Sequence, residues 1–559
     1  MRERPGPSVG PGLILRTILE LPPGRVVRRV GRPLRGTRRR ILRAIGAGPG
    51  PLAPAPVALA AGPPLPEAHW TPPASFRFVG LDRSFGDAVR WDGAPTRLWS
   101  YHLHALDALR EDHPLPERTA LLDAWSAANP FGSRPGWEPY PSSLRLVNAF
   151  EMLLASPSGA LAARAPSLAD QAWWLEANLE TDLGANHLWK NAVALAWAGR
   201  ALAGRSPDRW RRRADAMIAT ELSRQLLADG FHVERSPGYH AVFLDDLIRL
   251  ETLLRAAGEG DGPLAGRLRA GRRAAAGALA SVLHPDGEIP LFNDAALGQA
   301  PPTPWLLERS AALDEGARPP SDPLGAPAAG FHRLAGERSV VIFDAGEIGD
   351  AEQPGHAHAD TLSFELSYDR TRVVVDAGVF DYEPGPRRSY ARGTRGHGTV
   401  EIDGIDQSEM WGVFRVGRRA RPLDVRRADE GGRVSIEAGH DGYRHLPGGP
   451  THRRSMEHAG SDVWRVVDTV TGGGEHRAVS RVRLHPSFAV RATGEGTLEA
   501  TDGAVVARLA AESPHRWSIE EGSYFPRFGV EERCAVACLA ADGTLPLRLA
   551  YRLELSTRS

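Results

Sequence analysis

The strongest constraint on the fold is a change of periodicity across residues 315–330 (EGARPPSDPLGAPAAG). Before it, apolar residues recur at helical spacing: Trp210, Ala214, Met217, Ile218 and Leu222 share one face of residues 208–228, and Gly230 stops the run. Residues 173–179, 192–202 and 242–254 repeat the pattern. After it come short alternating runs split by Gly and Asp, such as 339–343, 362–368, 372–375, 399–402, 463–468 and 547–555. Several helices in series predict an all-α bundle or toroid. Roughly 230 residues of short strands predict an antiparallel sandwich or two stacked sheets. A Gly, Pro and Ala stretch at residues 46–66 reads as another linker. The expected organisation is therefore an arm and linker at 1–66, a helical domain at 67–315, a linker at 316–330 and a β-domain at 331–559. A site made from both halves would lie in the cleft between them.

Lys plus Arg equals Asp plus Glu, 68 each, which excludes binding to nucleic acid through backbone charge alone. No run of 18 apolar residues spans a membrane as a helix. The first residues lack the long apolar core of a secretory signal, so a cytoplasmic location is expected, with the periplasm or cell envelope as the alternative. Cys534 and Cys538, four residues apart on a strand, are too far from each other for a disulfide. Ten arginines lie between Arg16 and Arg43 among Leu, Ile and Val. Such an arm either packs on the body as a solvated helix or makes peripheral contact with an anionic membrane or acidic polymer.

Chemistry concentrates in residues 355–411, where His356, His358, Asp360, Asp376 and His397 fall in one run. If GHAHAD is extended, His356 and His358 share a face. Imidazoles with a nearby carboxylate are zinc-type ligands. In the helical half, Trp137, Glu138, Tyr140 and Arg145 in GWEPYPSSLR have the makings of a sugar subsite, with Arg145 able to fork onto a carboxylate. Asn186 and His187 stand adjacent at a helix start, where donors face an anion. Ser236 is a good N-cap and Pro237 a good first helical residue, which puts Tyr239 in the first turn. There the helix dipole would favour a phenolate.

Taken in order, NHLWKN, DGFHVERSPGYH, DGEIPLFND, GHAHADTLSFEL, VVVDAG and HGTV resemble bacterial heparinase II/III-like polysaccharide lyases and the related alginate and oligoalginate lyases. The likeness runs from about Arg97 to Arg419. It implies an (α/α) toroid followed by an antiparallel β-sandwich, and β-elimination on a uronic-acid polysaccharide. By motif match it makes Asn186 with His187 the neutraliser of the substrate carboxylate, Tyr239 the acid and the syn-face base, and His356 the alternative base. Glu234 and His240, in the Tyr239 motif, join Trp137, Glu138, Tyr140 and Arg145 as expected substrate contacts. It also implies a structural zinc on His358, Asp376 and His397. Lys190 stands where the family often has an acid, and Gly398 follows His397 where Asn is usual. The competing readings are a zinc-dependent hydrolase and a glycan-binding or assembly protein that keeps the fold without turnover, both placed in exopolysaccharide or envelope metabolism.

Overall fold

A computed structural model describes residues 10–19, 23–157, 159–317, 320–430, 433–512 and 514–558. Its helical part comprises α1 (Pro11–Leu19), α2 (Pro23–Ala44), α3 (Arg97–Ala105), α4 (Leu115–Ala128), α5 (Pro139–Leu154), α6 (Ala160–Ala177), α7 (Ala185–Ala201), α8 (Arg205–Gln225), α9 (Pro237–Ala256), α10 (Pro263–Val282) and α11 (Thr303–Ala312). Helix α7 is buried nearly all round: Trp189, Val193, Ala196 and Trp197 are inaccessible, because α5, α6, α8 and α9 all pack against it. Helix α8 is one-sided, with Trp210, Ala214 and Ile218 buried and arginines between them. The expected (α/α) toroid followed by an antiparallel sandwich is the architecture present.

Two details differ from the sequence expectation. Trp70–Thr71, Ser75–Phe78 and Leu81–Ser84 form a three-stranded antiparallel sheet where helix was expected from Trp70 onward. Phe76 and Phe78 are buried while Arg77 is exposed, a two-residue period, and Gly80 at φ +73° turns the chain between strands. Residues 46–66 are not a free spacer either. Ala53–Pro54 pairs with Leu202–Ala203, and the Leu59 amide donates to the Leu154 carbonyl.

The β part holds three main sheets. A five-stranded sheet runs from Gly325–Ala326 to Thr371–Val374 in simple meander order. An eight-stranded sheet includes Thr451–His458, Val463–Thr471 and Leu547–Thr557. A four-stranded sheet includes Val400–Ile402 and Glu475–Arg483. Their inner faces share one core containing Val341, Phe364, Tyr443, Trp464, Leu539 and Leu553. One seven-residue helix, α12 (Pro386–Arg392), and two short 3-10 turns interrupt the strands. Cys534 and Cys538 are both free and buried.

The halves meet through an aromatic seam. Phe231 lies 5.2 Å edge-on to Phe331, which stacks at 5.6 Å on Phe292. All three are fully buried, each side chain worth about 1.5–3 kcal/mol of apolar transfer. The N-terminal helices tie the halves together again. Arg16 of α1 pairs with Glu409 at 2.8 Å, and Trp411 Nε1 donates to Thr17 Oγ1, while α2 lies on α6. The side chains of Arg25 and Arg32, part of the basic arm, lie outside the described residues.

Candidate active site

A cleft of about 1770 Å³ separates the halves. The start of α9 fixes one wall. Ser236 caps the helix, accepting from the Tyr239 amide at 3.3 Å, and its hydroxyl donates to the Asp294 carbonyl at 2.7 Å. Tyr239 therefore projects from the first turn with its ring 3.9 Å, centroid to centroid, from that of His356. Its hydroxyl lies 3.3 Å from that of Tyr382. Burial, with Tyr382 adding to it, holds the Tyr239 hydroxyl well above the ordinary phenol range. This reverses the expectation from the helix dipole: the cost of burying a phenolate outweighs the pull of the helix N-terminus.

The start of α7 fixes a second group. Gly184, at φ +68°, turns the chain into the helix. Both the backbone N–H and the side-chain amide of Asn186 donate to Glu234 Oε1, at 3.0 and 2.8 Å. An amide has two N–H groups, so one remains for a ligand. The other oxygen of Glu234 lies 3.7 Å from His356 Nε2. One buried carboxylate thus spans Asn186 from the helical half and His356 from the β half. His187 pairs with Glu180 at 3.3 Å and lies 4.7 Å, ring to ring, from Tyr140.

His356 is held from behind. Its Nδ1 lies 2.9 Å from Asp294 Oδ2, and Asp294 Oδ1 lies 2.9 Å from His358 Nε2. Arg388 forks onto both oxygens of Asp294. Burial works against this carboxylate, but Arg388 and the two histidines outweigh it and hold Asp294 well below the usual carboxylate range. The ionised Asp294 thus orients the His356 ring through Nδ1, while Nε2 lies on the side of Glu234 Oε2.

Trp137, Glu138, Tyr140, Asn186, His187, Tyr239 and His356 all line the cleft. Three other expected contacts do not. Arg145 is inaccessible, stacks 3.4 Å from the Trp125 ring and donates to Gln171 and the His104 carbonyl. A buried cation that is already fully engaged cannot fork onto a substrate. His240 is stacked on Phe231 at 4.2 Å and bonded to the Ala275 carbonyl at 2.9 Å. Glu234 lies behind Asn186 rather than in the cleft. Lys190 does reach the cleft, but its ammonium pairs with buried Asp246 at 2.8 Å, which offsets its charge.

The group whose geometry could hold a metal differs from the expected set by one carboxylate. His358, Asp360 and His397 offer ligand atoms within 4.8 Å of one another. Asp376 instead accepts from His397 Nδ1 at 2.7 Å. His358 Nδ1 and His397 Nε2 are buried and have no partner, while the opposite nitrogen of each ring rests on a carboxylate. Burial drives His358 down to about 3, which favours the neutral ring a ligand needs, while at His397 burial is outweighed by Asp376 and Asp360, which raise it. Two orphaned imidazole nitrogens and a carboxylate fit a zinc-type ion, with Asp294 and Asp376 orienting the rings from outside.

The sequence reading missed Asp294, Arg388 and Tyr382. Asp294 closes DGEIPLFND, but nothing local says which ring it will hold. Asp360 was findable, since it stands two residues after His358.

A toroid joined to a sandwich, with the cleft between them lined from both, defines a recognisable class. The heparinase II/III N-terminus family matches residues 112–303, and the heparinase II/III-like, C-terminal family matches residues 318–554. The chain belongs to the heparinase II/III-like family. FtsZ-localized protein C of Caulobacter vibrioides is 26% identical over 419 residues, 71% of this chain and 69% of that one. Heparin-sulfate lyase of Pedobacter heparinus is 24% identical over 350 residues, 56% of this chain and 52% of its own length. Among solved structures, heparinase III superposes with a TM-score of 0.65 at 17% identity, covering 84% of this chain and 80% of that one. A heparan sulfate lyase mutant from Pedobacter heparinus superposes at 0.61 and 18%, covering 87% and 82%. These structures share the fold.

Proposed function

We propose that this protein is a polysaccharide lyase acting on a uronic-acid polymer by β-elimination. The observation that carries it is the meeting of Asn186, Tyr239 and His356, drawn from two domains, around Glu234 and Asp294. Elimination needs a neutralised carboxylate, a base for the C5 proton and an acid for the departing O4. The remaining amide N–H of Asn186, with His187 beside it, faces the carboxylate. His356 Nε2, its Nδ1 proton held by Asp294, takes the C5 proton. Tyr239 keeps its proton through burial and delivers it to O4. A metal held by His358, Asp360 and His397 would order the loop that carries His356; no proton moves through it. A hydrolase built on that metal fits less well, because none of its three ligands lines the cleft.

The test is a panel of purified uronate polysaccharides followed by the ultraviolet absorbance of the new C4–C5 double bond. Absorbance on at least one polymer, lost in Tyr239→Phe, supports the reading. Reducing ends released without that absorbance would replace it with hydrolysis. A second reading has its own support: FtsZ-localized protein C matches more of this chain than the heparin-sulfate lyase does. On that reading the cleft binds glycan during envelope assembly without turnover, and calorimetry would show saturable binding to a polymer that stays intact.

A further inference from the structure

The C-terminal part of helix α2 exposes apolar side chains that a surface helix ordinarily buries. An amphipathic helix on a soluble body ordinarily buries its apolar stripe and shows its charges. Here several arginines reach back to the protein, while Arg28, Arg29 and Arg38 are exposed. Arg39 pairs with Glu176 at 2.9 Å and covers the Trp173 ring, Arg43 pairs with Asp170, and Arg40 donates to the Gly132 carbonyl. Gly36 lies flat against Trp174 and Asn178. Leu42 packs against the helical core, but other apolar side chains face out: Leu34 is 71% exposed, Ile41 59%, and Ile45, just past the helix end, 74%. Positions 34, 41 and 45 fall on one stripe at 3.6 residues per turn. Of eleven large apolar side chains exposed among the described residues, five belong to the N-terminal arm, Ile14 and Leu15 of α1 being the others.

We infer that this outward stripe is a docking surface for an anionic lipid bilayer. Charge decides among the possible occupants. Residues 21–66 contain nine arginines and no acidic residue. Arg38 stands exposed within the stripe, between Leu34 and Ile41. A second copy docking through the same face would set arginine against arginine. A surface that offers only cations and aliphatic side chains, on one convex helix, matches a plane of anionic headgroups over an apolar interior. The carboxylates of the body already hold the inner arginines, so the helix reaches the bilayer with its stripe presented. Thr37 and Arg40 on its other side line the cleft, so docking would bring the cleft to within about one helix diameter, ~10 Å, of the headgroups. This surface is independent of the chemistry proposed for the cleft.

The experiment is flotation of the full-length protein with vesicles of phosphatidylcholine alone and of phosphatidylcholine with phosphatidylglycerol. The wild type floats with the anionic vesicles, weakly with the neutral ones, and less as salt rises. The double variant Leu34→Glu/Ile41→Glu loses at least about tenfold in partitioning, with an unchanged thermal melt. The double variant Leu34→Phe/Ile41→Phe, which keeps the stripe apolar, still floats. Absence of flotation by the wild type overturns the inference. So does equal flotation of the glutamate variant. A wild type that dimerises in light scattering, where the glutamate variant does not, assigns the stripe to a second copy. Saturable salt-sensitive binding to an acidic protein, with no flotation, assigns it to a protein partner; either result removes the lipid assignment.

Discussion

Two clusters in this protein are built from the same parts: an aspartate, an arginine forked onto it and two histidines. In the first, Asp294 holds His356, His358 and Arg388. In the second, inside the sandwich, Asp468 takes Arg454 at 2.7 and 2.9 Å, His452 at 2.8 Å and Ser480 at 2.6 Å. His440 closes that chain, contacting His452 at 3.2 Å and accepting from the Gly442 amide. Every polar side-chain atom of the second cluster is used. The first leaves His358 Nδ1 without a partner and turns His356 toward the cleft. The residue types are the same, so they do not separate a proposed site from a brace. What separates them is which atoms are left over.

That contrast is easiest to break at the two aspartates. Asp294→Asn keeps the shape but frees the His356 tautomer. The rate should fall by about 10⁴-fold, the loss seen when a triad aspartate is changed in the same way. Steady-state rates at fixed folded protein check it, and a loss under tenfold would separate Asp294 from the chemistry. Tyr239→Phe should cost about 10²–10⁴-fold, the range for removing a general acid, with the melt unchanged. Because burial raises this hydroxyl, the wild-type rate should show no alkaline limb from Tyr239 up to about pH 10.

The mirror experiment is Asp468→Ala. It strands the Arg454 cation in the core and should destabilise by about 3–5 kcal/mol in urea melts, leaving the rate per folded molecule intact. Burial opposes the Asp468 charge, but Arg454 and His452 outweigh it and depress its folded value. The stability it adds is therefore fully present above about pH 4 and is lost as pH falls further. The gap between wild type and variant should narrow in acid. The smallest expected effect is Asp376→Asn, which loosens His397 without touching a ligand atom. Metal affinity should drop about 10–100-fold, read by competition with a chromogenic chelator. A complete loss of metal would return Asp376 to the ligand set in place of Asp360.

Much of the fold was legible because it is written in periods. The 3.6-residue pattern of α8 and the two-residue pattern of Val463–Thr471 each fix a buried face locally. The cap at Ser236 was legible for the same reason, since its partner is three residues away. The Trp70–Ser84 sheet was not, because its strands are two to four residues long and leave little period to see. The site was legible as an ordered set of motifs but not as geometry. Asp294 is 62 residues from His356, and only the tertiary fold decides that they meet. Arg145 shows the opposite failure: its motif suggested a subsite, while a buried indole and a backbone carbonyl had already claimed it.

Asp294 also changes how a chelation experiment must be read. One of its oxygens steadies His356 and the other steadies His358. If His358, Asp360 and His397 hold the proposed ion, stripping it would let His358 swing, and the slack would pass through a single carboxylate to His356, the proposed base. A lyase that never uses the metal in its chemistry would then lose rate on chelation and regain it slowly on reloading, at the pace of side-chain reordering. Sensitivity to a chelator is thus no signature of a hydrolase here; the diagnostic is whether the product carries a double bond.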